Sequence, residues 1–433
     1  MLANDLLDSL NFLGDLSTMG FVALFWYVVL FELPRYGLSF LTVSLLPWAQ
    51  RGEGRRQVSA ITTSPRNFVR PRISVIVVGH SEEASLEHCV RSLRAQSLTD
   101  FEIIVVSDGS RDRMPEVGRR LLTMGLIDKS VSLDLRCGKS AGFNLACRIS
   151  SGDIIVNVDC DCSYDRFALE RIVEPFDDPA IGAVSGDILP RNGQRSLLAA
   201  LQTIEYLIGI SLGKRAAGLL DQVVCVSGAF GAFRREALAS VGGVDPGGGE
   251  DLDLTMRLRA RGWKICFEPG ALCYTDVPER GWALVRQRLR WERDSVRIRF
   301  RKHANLMNPR SPRFNSSEAL HQYDFLVFHV GFGFLFPFYL GYLNAELAAD
   351  ALIILLSVQL VAFILDVFTF TLAIAVTGRW QYLRYAIYLP VYGSYTGLFM
   401  RLVRITAYAQ EWAFETSRKD SYVPERVACA RHW

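Results

Sequence analysis

The stretch DIIVNVDCD, Asp153 to Asp161, decides how the middle of the chain folds. Ile154, Ile155, Val156 and Val158 form a short β-branched run that reads as a buried strand, and Asp159 and Asp161 close it with two carboxylates. In extended backbone, residues two apart face the same way, so Asp159 and Asp161 can act on one object while Cys160 and Cys162 point elsewhere. The pattern recurs upstream. ISVIVV (Ile73 to Val78) reads as a strand, and the segment after it reads as a helix. In that helix Ser81 is placed as the cap, Glu82 and Glu83 favour the positive end of the dipole, and Leu86, Cys89, Val90 and Leu93 share one face. FEIIVVSDGS is a further strand, ending at Asp108. Strands alternating with helices predict an α/β domain with a mainly parallel sheet that binds ligands beyond the carboxyl ends of its strands. Asp108, Asp159 and Asp161 collect there.

The natural object for Asp159 and Asp161 is a hard divalent cation bridging to a diphosphate, since Mg²⁺ takes one or two carboxylates plus phosphate oxygens. A solvated acidic turn explains the same short motif equally well. A second acidic site lies in GGVDPGGGEDLDLTMRLRARGWKI (Gly242 to Ile265), where a glycine-rich loop leads into Glu250 and Asp251. Leu254, Met256, Leu258 and Trp263 are expected to face inward. A carboxylate at this junction can act as a general base, or Asp251 or Asp253 can simply cap the helix.

The chain has 433 residues, half of them hydrophobic, with the apolar excess concentrated at both ends. Gly20 to Ala49, Tyr323 to Asn344 and Ala351 to Gly378 each reach the ~20 residues that cross a bilayer core, which predicts an integral membrane protein. Asp5, Asp8 and Asp15 stand where a signal peptide has basic residues. Arg51, Arg55, Arg56, Arg66, Arg70 and Arg72 then place the middle of the chain in the cytoplasm, at a bacterial inner membrane. Pro390 and Gly393 interrupt a third C-terminal segment and leave the topology after Arg384 open. The expected organisation is a transmembrane segment (1–50), a basic linker (51–71), a catalytic domain (72–276), amphipathic interfacial helices (277–322), a transmembrane region (323–403) and a tail (404–433). The nine cysteines form no zinc-type pair of CxxC units and read as buried thiols of a reducing compartment.

Net charge is only +3, yet VRQRLRWERDSVRIRFRK (Val285 to Lys302) gathers seven arginines and a lysine. A nucleic-acid arm needs a recognisable binding module beside its basic footprint, and none accompanies it, so no nucleic acid is expected as partner. Arg297 to Lys302 are expected at the membrane surface, among lipid phosphates.

Taken in order, SVIVVGHSEEASLEHCVRSLRAQS, IIVVSDGSRD, GKSAGFNLA, NVDCD, SGAFGAF, GGGED and QRLRW resemble the successive signatures of the family 2, GT-A-fold inverting glycosyltransferases. The closer resemblance is to their processive membrane branch, the cellulose, hyaluronan, chitin-oligosaccharide and poly-N-acetylglucosamine synthases, and it covers Ile73 to Asp294. It implies a GT-A nucleotide-diphospho-sugar transferase domain flanked by transmembrane helices. Asp108 would recognise uracil, and His80 stands where the family often stacks an aromatic ring. Glu82 and Lys139 would lie near the nucleotide, Asp159 and Asp161 would hold Mg²⁺ or Mn²⁺, and Asp251, beside Glu250, would be the general base. Ser227, Gly228 and Ala229 would form the acceptor wall. Gln287, Arg290 and Trp291 match QxxRW, whose i, i+3 and i, i+4 spacing puts them on one helix face toward diphosphate and sugar. LQTIEYLIGISLGKRA (Leu201 to Ala216) resembles an acceptor-facing helix. The family usually has two aspartates before the turn glycine, and here the first is Ser107.

The implied activity is transfer from a UDP-sugar to a growing β-linked glucan or N-acetylglucosamine-type polymer, coupled to export. Three or four helices are few for a channel, which favours the alternative below unless a homo-oligomer or an export partner completes the path. The alternative is a single transfer to a lipid acceptor such as a polyprenyl phosphate or ceramide. A non-catalytic membrane scaffold or transport subunit would lack one of Asp159, Asp161 and Asp251, all of which are present.

Overall fold

The β-branched runs pair as their patterning predicts. Ile73–Gly79 (β1) lies parallel to both Glu102–Asp108 (β2) and Ile154–Asp159 (β4), and β2 lies parallel to Lys129–Leu133 (β3). This is a computed structural model, and it describes residues 11–27, 71–219, 222–346, 351–419, 423–425 and 427. Two units separate: one of described residues between 64 and 305 together with those from 410 onward, the other of those before 64 together with 306–409.

The first unit is an α/β domain. Ser163–Tyr164 (β5), Ile181–Pro190 (β6), Phe230–Arg234 (β7) and Lys264–Thr275 (β8) complete an eight-stranded sheet in the order β3-β2-β1-β4-β7-β6-β8-β5. The sheet is mostly parallel, but β7 runs antiparallel to β4 and β6, and β5 to β8. Each central strand is buried on both faces. Val75, Val77, Ile103, Val105 and Val156 pack on one side with Leu86, Val90, Leu93 and Met114, while Ile76, Ile104 and Ile155 pack on the other with Phe143, Leu254 and Leu258. Each such side chain contributes roughly 1.5–3 kcal/mol.

Glu83–Arg94 (α1) buries Leu86, Cys89, Val90 and Leu93 as expected, but Ser81 does not cap it. Ser81 takes a left-handed conformation (φ 61°) and its hydroxyl instead accepts from the N–H of Arg111, tying the β1 turn to the β2 turn. Met114–Thr123 (α2), Lys139–Ile149 (α3) and Ala168–Val173 (α4) follow. Leu197–Tyr206 (α5), a π-type segment at Leu207–Leu212 and Gly213–Leu219 (α6) then form one helical run. Its stretch Leu197–Gly218 is long and apolar enough to cross a membrane, yet it is 61% buried within the protein. Arg235–Ser240 (α7), Glu250–Ala260 (α8) and Gly281–Arg297 (α9) complete the unit.

Neither Asp251 nor Asp253 caps α8, because the cap is Gly249 in the left-handed region (φ 67°), where a side chain is strained. Leu254, Met256 and Leu258 are buried, but Trp263 lies beyond the helix and donates from Nε1 to the Ser240 hydroxyl. Asp253 is buried among Arg257, Lys302 and His303, at 2.9, 2.8 and 2.7 Å. The basic residues assigned to the membrane surface are therefore corrected. Arg297 is 1% exposed, paired with Asp294 and donating to the Gly248 carbonyl, Arg299 is buried, and Arg301 pairs with Glu411. An arginine has this fate when carboxylates and helix or loop carbonyls reach it before water does.

In the second unit, Phe332–Glu346 and Ala351–Thr377 are the main apolar helices, and Glu318–Ala345 and Leu352–Thr377 are long and apolar enough to cross a membrane. Tyr339 donates to the Leu24 carbonyl and packs edge-on to Trp26 of the helix Thr18–Tyr27. The interrupted segment after Arg384 is helical through Leu389–Ser394, Tyr395–Phe399 and Met400–Phe414. Most of the N-terminal apolar segment and of the basic linker lies outside the described residues.

Burial alone would raise the Asp253 carboxyl, but the His303 hydrogen bond and the charges of Arg257 and Lys302 hold it well below the usual carboxylate range. Its contribution is present above the unfolded value of about 4 and is lost as pH falls through the lower folded value. Asp253→Asn, which leaves buried cations uncompensated, should cost on the order of 3 kcal/mol in a denaturant titration at pH 7. The difference from the parent should shrink in acid.

Candidate active site

Carboxylates meet beyond the strand ends because β1, β2 and β4 stop together. Asp108 is the last residue of β2 and Asp159 the last of β4, on neighbouring sides of β1. Asp108 is 2% exposed, and its carboxylate accepts from the N–H groups of Cys137 and Gly138 at 2.6 and 2.7 Å. It thereby shapes the loop entering α3. His80 follows β1 and donates from Nδ1 to the Asp108 carbonyl at 2.7 Å. A cavity of about 420 Å³ opens beside it, lined by His80, Ser110, Arg111, Asp134 and Arg136 among others. Asp134 and Arg136 were missed from the sequence, although Asp134 stands directly beyond β3, where the rule applied to β2 and β4 would have found it.

Lys139, the first residue of α3, links two chain regions. Its ammonium pairs with the Asp159 carboxylate and donates to the Gly228 carbonyl at 3.1 Å. Asp161 lies just past β4, where its side chain accepts a weak bond from the Cys162 thiol and its carbonyl accepts from Arg191, itself paired with Asp276. Glu82 sits across from this pair with its carboxylate accepting from the Ser85 hydroxyl. Burial raises the Glu82 carboxyl, the Ser85 bond opposes that, and the charges of Asp161 and Asp159 add to it. The negative potential is thus shared by three carboxylates.

Among the described residues no three His, Cys, Asp or Glu side chains make a metal cage. Two carboxylates with a third in electrostatic range suit a hard cation that takes its remaining ligands from phosphate oxygens and water, so the donor set fits Mg²⁺ or Mn²⁺. The thiols beside the site are inert, since burial raises Cys89 and Cys160, and a hydrogen bond with Cys273 together with burial raises Cys162, above the ordinary range.

The opposite side of the site is main chain. Ser227, Gly228 and Ala229 precede β7, and Gly228 O accepts from both Lys139 and Asn157 Nδ2, the latter at 2.8 Å. A Cβ on Gly228 would lie 3.4 Å from Lys139 Nζ and 3.6 Å from Asp251 Oδ2, so this glycine separates the two charged groups by one backbone thickness. Glu250 and Asp251 open α8, and with Lys139, Asn157 and Gly228 they line a small cavity. Burial pushes Glu250 up to about 7, with Lys139 opposing and Asp251 adding to the shift. Asn157 Oδ1 is buried with no protein partner, a place for an ordered water.

On α9, Trp291 is 39% exposed under the Arg288 guanidinium, 4.6 Å from the ring centre, and Gln287 Oε1 is buried without a partner. Gln287, Arg290 and Trp291 occupy adjoining turns. The same helix grips the other acidic site from below, since Arg297 donates to the Gly248 carbonyl in the glycine loop that leads to Glu250.

A family model described as "Glycosyltransferase like family 2" matches residues 71–293. The poly-beta-1,6-N-acetyl-D-glucosamine synthase of Staphylococcus aureus (strain COL) is 30% identical over 239 residues, which are 54% of this chain and 57% of that protein. The synthase of the same name from Staphylococcus epidermidis is 31% identical over 221 residues, 51% and 53% of the two chains. The match thus spans little more than half the length of these relatives. Among solved structures, the mannosyltransferase PcManGT of Pyrobaculum calidifontis, in complex with GDP-Man and Mn²⁺, superimposes with a TM-score of 0.57 at 20% identity, covering 88% of this chain and 97% of that one. That likeness shows the fold. Strand order, carboxylates at the strand ends and the match over the whole α/β unit agree: the chain belongs to glycosyltransferase-like family 2 and has its GT-A fold.

Proposed function

We propose that the protein transfers a sugar from a UDP-sugar to the growing end of a β-linked polysaccharide of N-acetylglucosamine type, with inversion, at the cytoplasmic face of a membrane. The observation that carries this reading is the placement of Lys139 and Asp251 on either side of Gly228. A cationic donor end and a basic acceptor end then lie close enough for in-line displacement.

Asp161 and Asp159 would hold a divalent cation, which when bound neutralises charge developing on the diphosphate leaving group. Lys139 adds a fixed positive charge at the same end, and Arg290 with Gln287 reaches toward the diphosphate. Asp251 takes the proton from the acceptor hydroxyl as that oxygen attacks the anomeric carbon opposite the leaving group. The bond to the diphosphate breaks as the new glycosidic bond forms, so an α-linked donor yields a β-glycoside. Glu250, neutral below about pH 7, keeps a second negative charge away from Asp251. Trp291 offers an exposed ring for the acceptor sugar. His80 and the neighbouring cavity take the nucleotide base.

The polymer is favoured by the two synthases matched across the catalytic unit. Single transfer to a lipid keeps one supporting observation: among the described residues only two helices outside the α/β unit are long and apolar enough to cross a membrane. An export partner or a second copy would supply the remainder of a path.

Purified protein given radiolabelled UDP-N-acetylglucosamine with Mg²⁺ or Mn²⁺ should make a size-heterogeneous product with β anomeric configuration. A single-sugar glycolipid as the sole product sinks the polymer reading. Asp251→Asn should lower kcat by about 10²- to 10⁴-fold, with UDP affinity kept. Glu250→Gln should remove a titration near pH 7 from the kcat/KM profile, and a profile identical to the parent's refutes its assigned neutrality. Arg290→Ala should weaken UDP binding without lowering the melting temperature.

A further inference from the structure

A buried polar ladder lies beneath the acceptor wall. Ser185 and Asp187 are two apart on β6 and both 0% exposed, so they face one side of the strand. Ser211 and Lys214 are three apart on the helical run above them and share one helix face. The two pairs match: Ser211 donates to Asp187 Oδ1 at 2.8 Å, and Lys214 Nζ donates to Ser185 Oγ at 3.0 Å. Four polar side chains in a helix–sheet interface are costly unless satisfied, and hydrophobic residues would pack there without that cost.

The ladder ends on the site. Lys214 Nζ also donates to the Ser227 hydroxyl, and the Ser227 N–H donates to Ser185 Oγ at 3.2 Å. The next residue is Gly228, whose carbonyl is held by Lys139 and Asn157 and whose Cα faces Asp251. Burial lowers the Lys214 ammonium below its ordinary range, and its electrostatic neighbours Cys225, Asp251 and Asp187 oppose that. Those facing Asp251 are Glu250 on its own helix, Lys139 across Gly228, Asp159 at the end of β4, Cys225 before the wall and Lys214, with Arg299 facing Cys225. Lys139 is already committed to Asp159. Lys214 braces the wall from the other side through its bonds to Ser185 and Ser227.

We propose that Lys214 is a positioning residue: it clamps the Ser227–Gly228 wall through Ser185 and Ser227 and so fixes the spacing between that wall and Asp251. The proposal rests on Asp251 being the base, and it predicts a division of effects. Donor binding belongs to Lys139 and the base cavity, so Lys214 governs the rate.

The test uses the full-length protein with UDP-N-acetylglucosamine as donor, UDP release as the readout and UDP binding measured separately. Lys214→Met should bind UDP and melt like the parent, yet lower kcat by about 10- to 100-fold. Lys214→Arg, which keeps donors for Ser185 and Ser227, should recover part of the rate. A parental kcat in Lys214→Met, or an equal loss in Lys214→Arg, overturns the proposal. Loss of UDP binding or of the melting transition in Lys214→Met also overturns it, because the residue is then a structural prop. Asp251→Asn in the same assay separates the two failures: an active Asp251→Asn removes the base itself, whereas an inactive one with a parental kcat in Lys214→Met removes only the role of Lys214.

Discussion

The main chain at Gly228 is the constraint on which the site depends. Its carbonyl is held at 3.1 Å by Lys139 and at 2.8 Å by Asn157, and a single methyl on its Cα would touch both the Lys139 ammonium and the Asp251 carboxylate. A loop this close to two charged groups must be held from all sides. Val226 donates to the Thr255 hydroxyl of α8, Ser227 to Ser185 of β6, and the Ala229 carbonyl accepts from the Tyr164 hydroxyl. The helices that carry Lys139 and Asp251 therefore share one backbone segment, and their spacing is set by hydrogen bonds to its N–H and C=O groups.

Charge in this domain is spent on internal order more than on solvent. Arg297 and Asp294 anchor α9 to the glycine loop, Lys302 joins Asp245 to Asp253, and Arg301 reaches Glu411 in the segment after the second unit. Phe300 stacks on Trp412 with ring planes 5° apart, fixing that same segment to the helical turn Ile298–Lys302 that follows α9. The arginine-rich stretch that reads as a surface feature is largely a set of internal ion pairs, and Arg286 and Trp291 are its exposed residues.

Several features were legible because they are local. β-branched runs gave β1, β2 and β4, and apolar periodicity gave the buried face of α1, whereas the alternation expected through Asp161 stops at Asp159, because residues 160 and 161 form a turn. Features that depend on distant partners were not. The antiparallel insertion of β7 between β4 and β6 pairs residues as distant as Ile154 with Arg234 and Ala183 with Phe233, and no periodicity encodes it. Ser81 has the composition of a cap but adopts a left-handed conformation because Arg111 and Ser110 of another loop bind it. Lys214 and Asp187 pass unnoticed in an apolar run and an apolar strand, since each makes sense only opposite its partner, Ser185 for the lysine and Ser211 for the aspartate.

By itself the sequence determined the chemistry available: a short β-branched strand ending in Asp159 and Asp161, a glycine loop delivering Glu250 and Asp251, and apolar helices of membrane-crossing length. These follow from residue type and spacing, which act over a few positions. Only the tertiary structure decided which groups meet. It seated Lys139 between Asp159 and Gly228, buried Arg297 rather than leaving it to lipid, and set Lys214 against Ser227. The reason is physical: the energy of a charge depends on the partners and the solvent around it, and packing supplies those from remote parts of the chain.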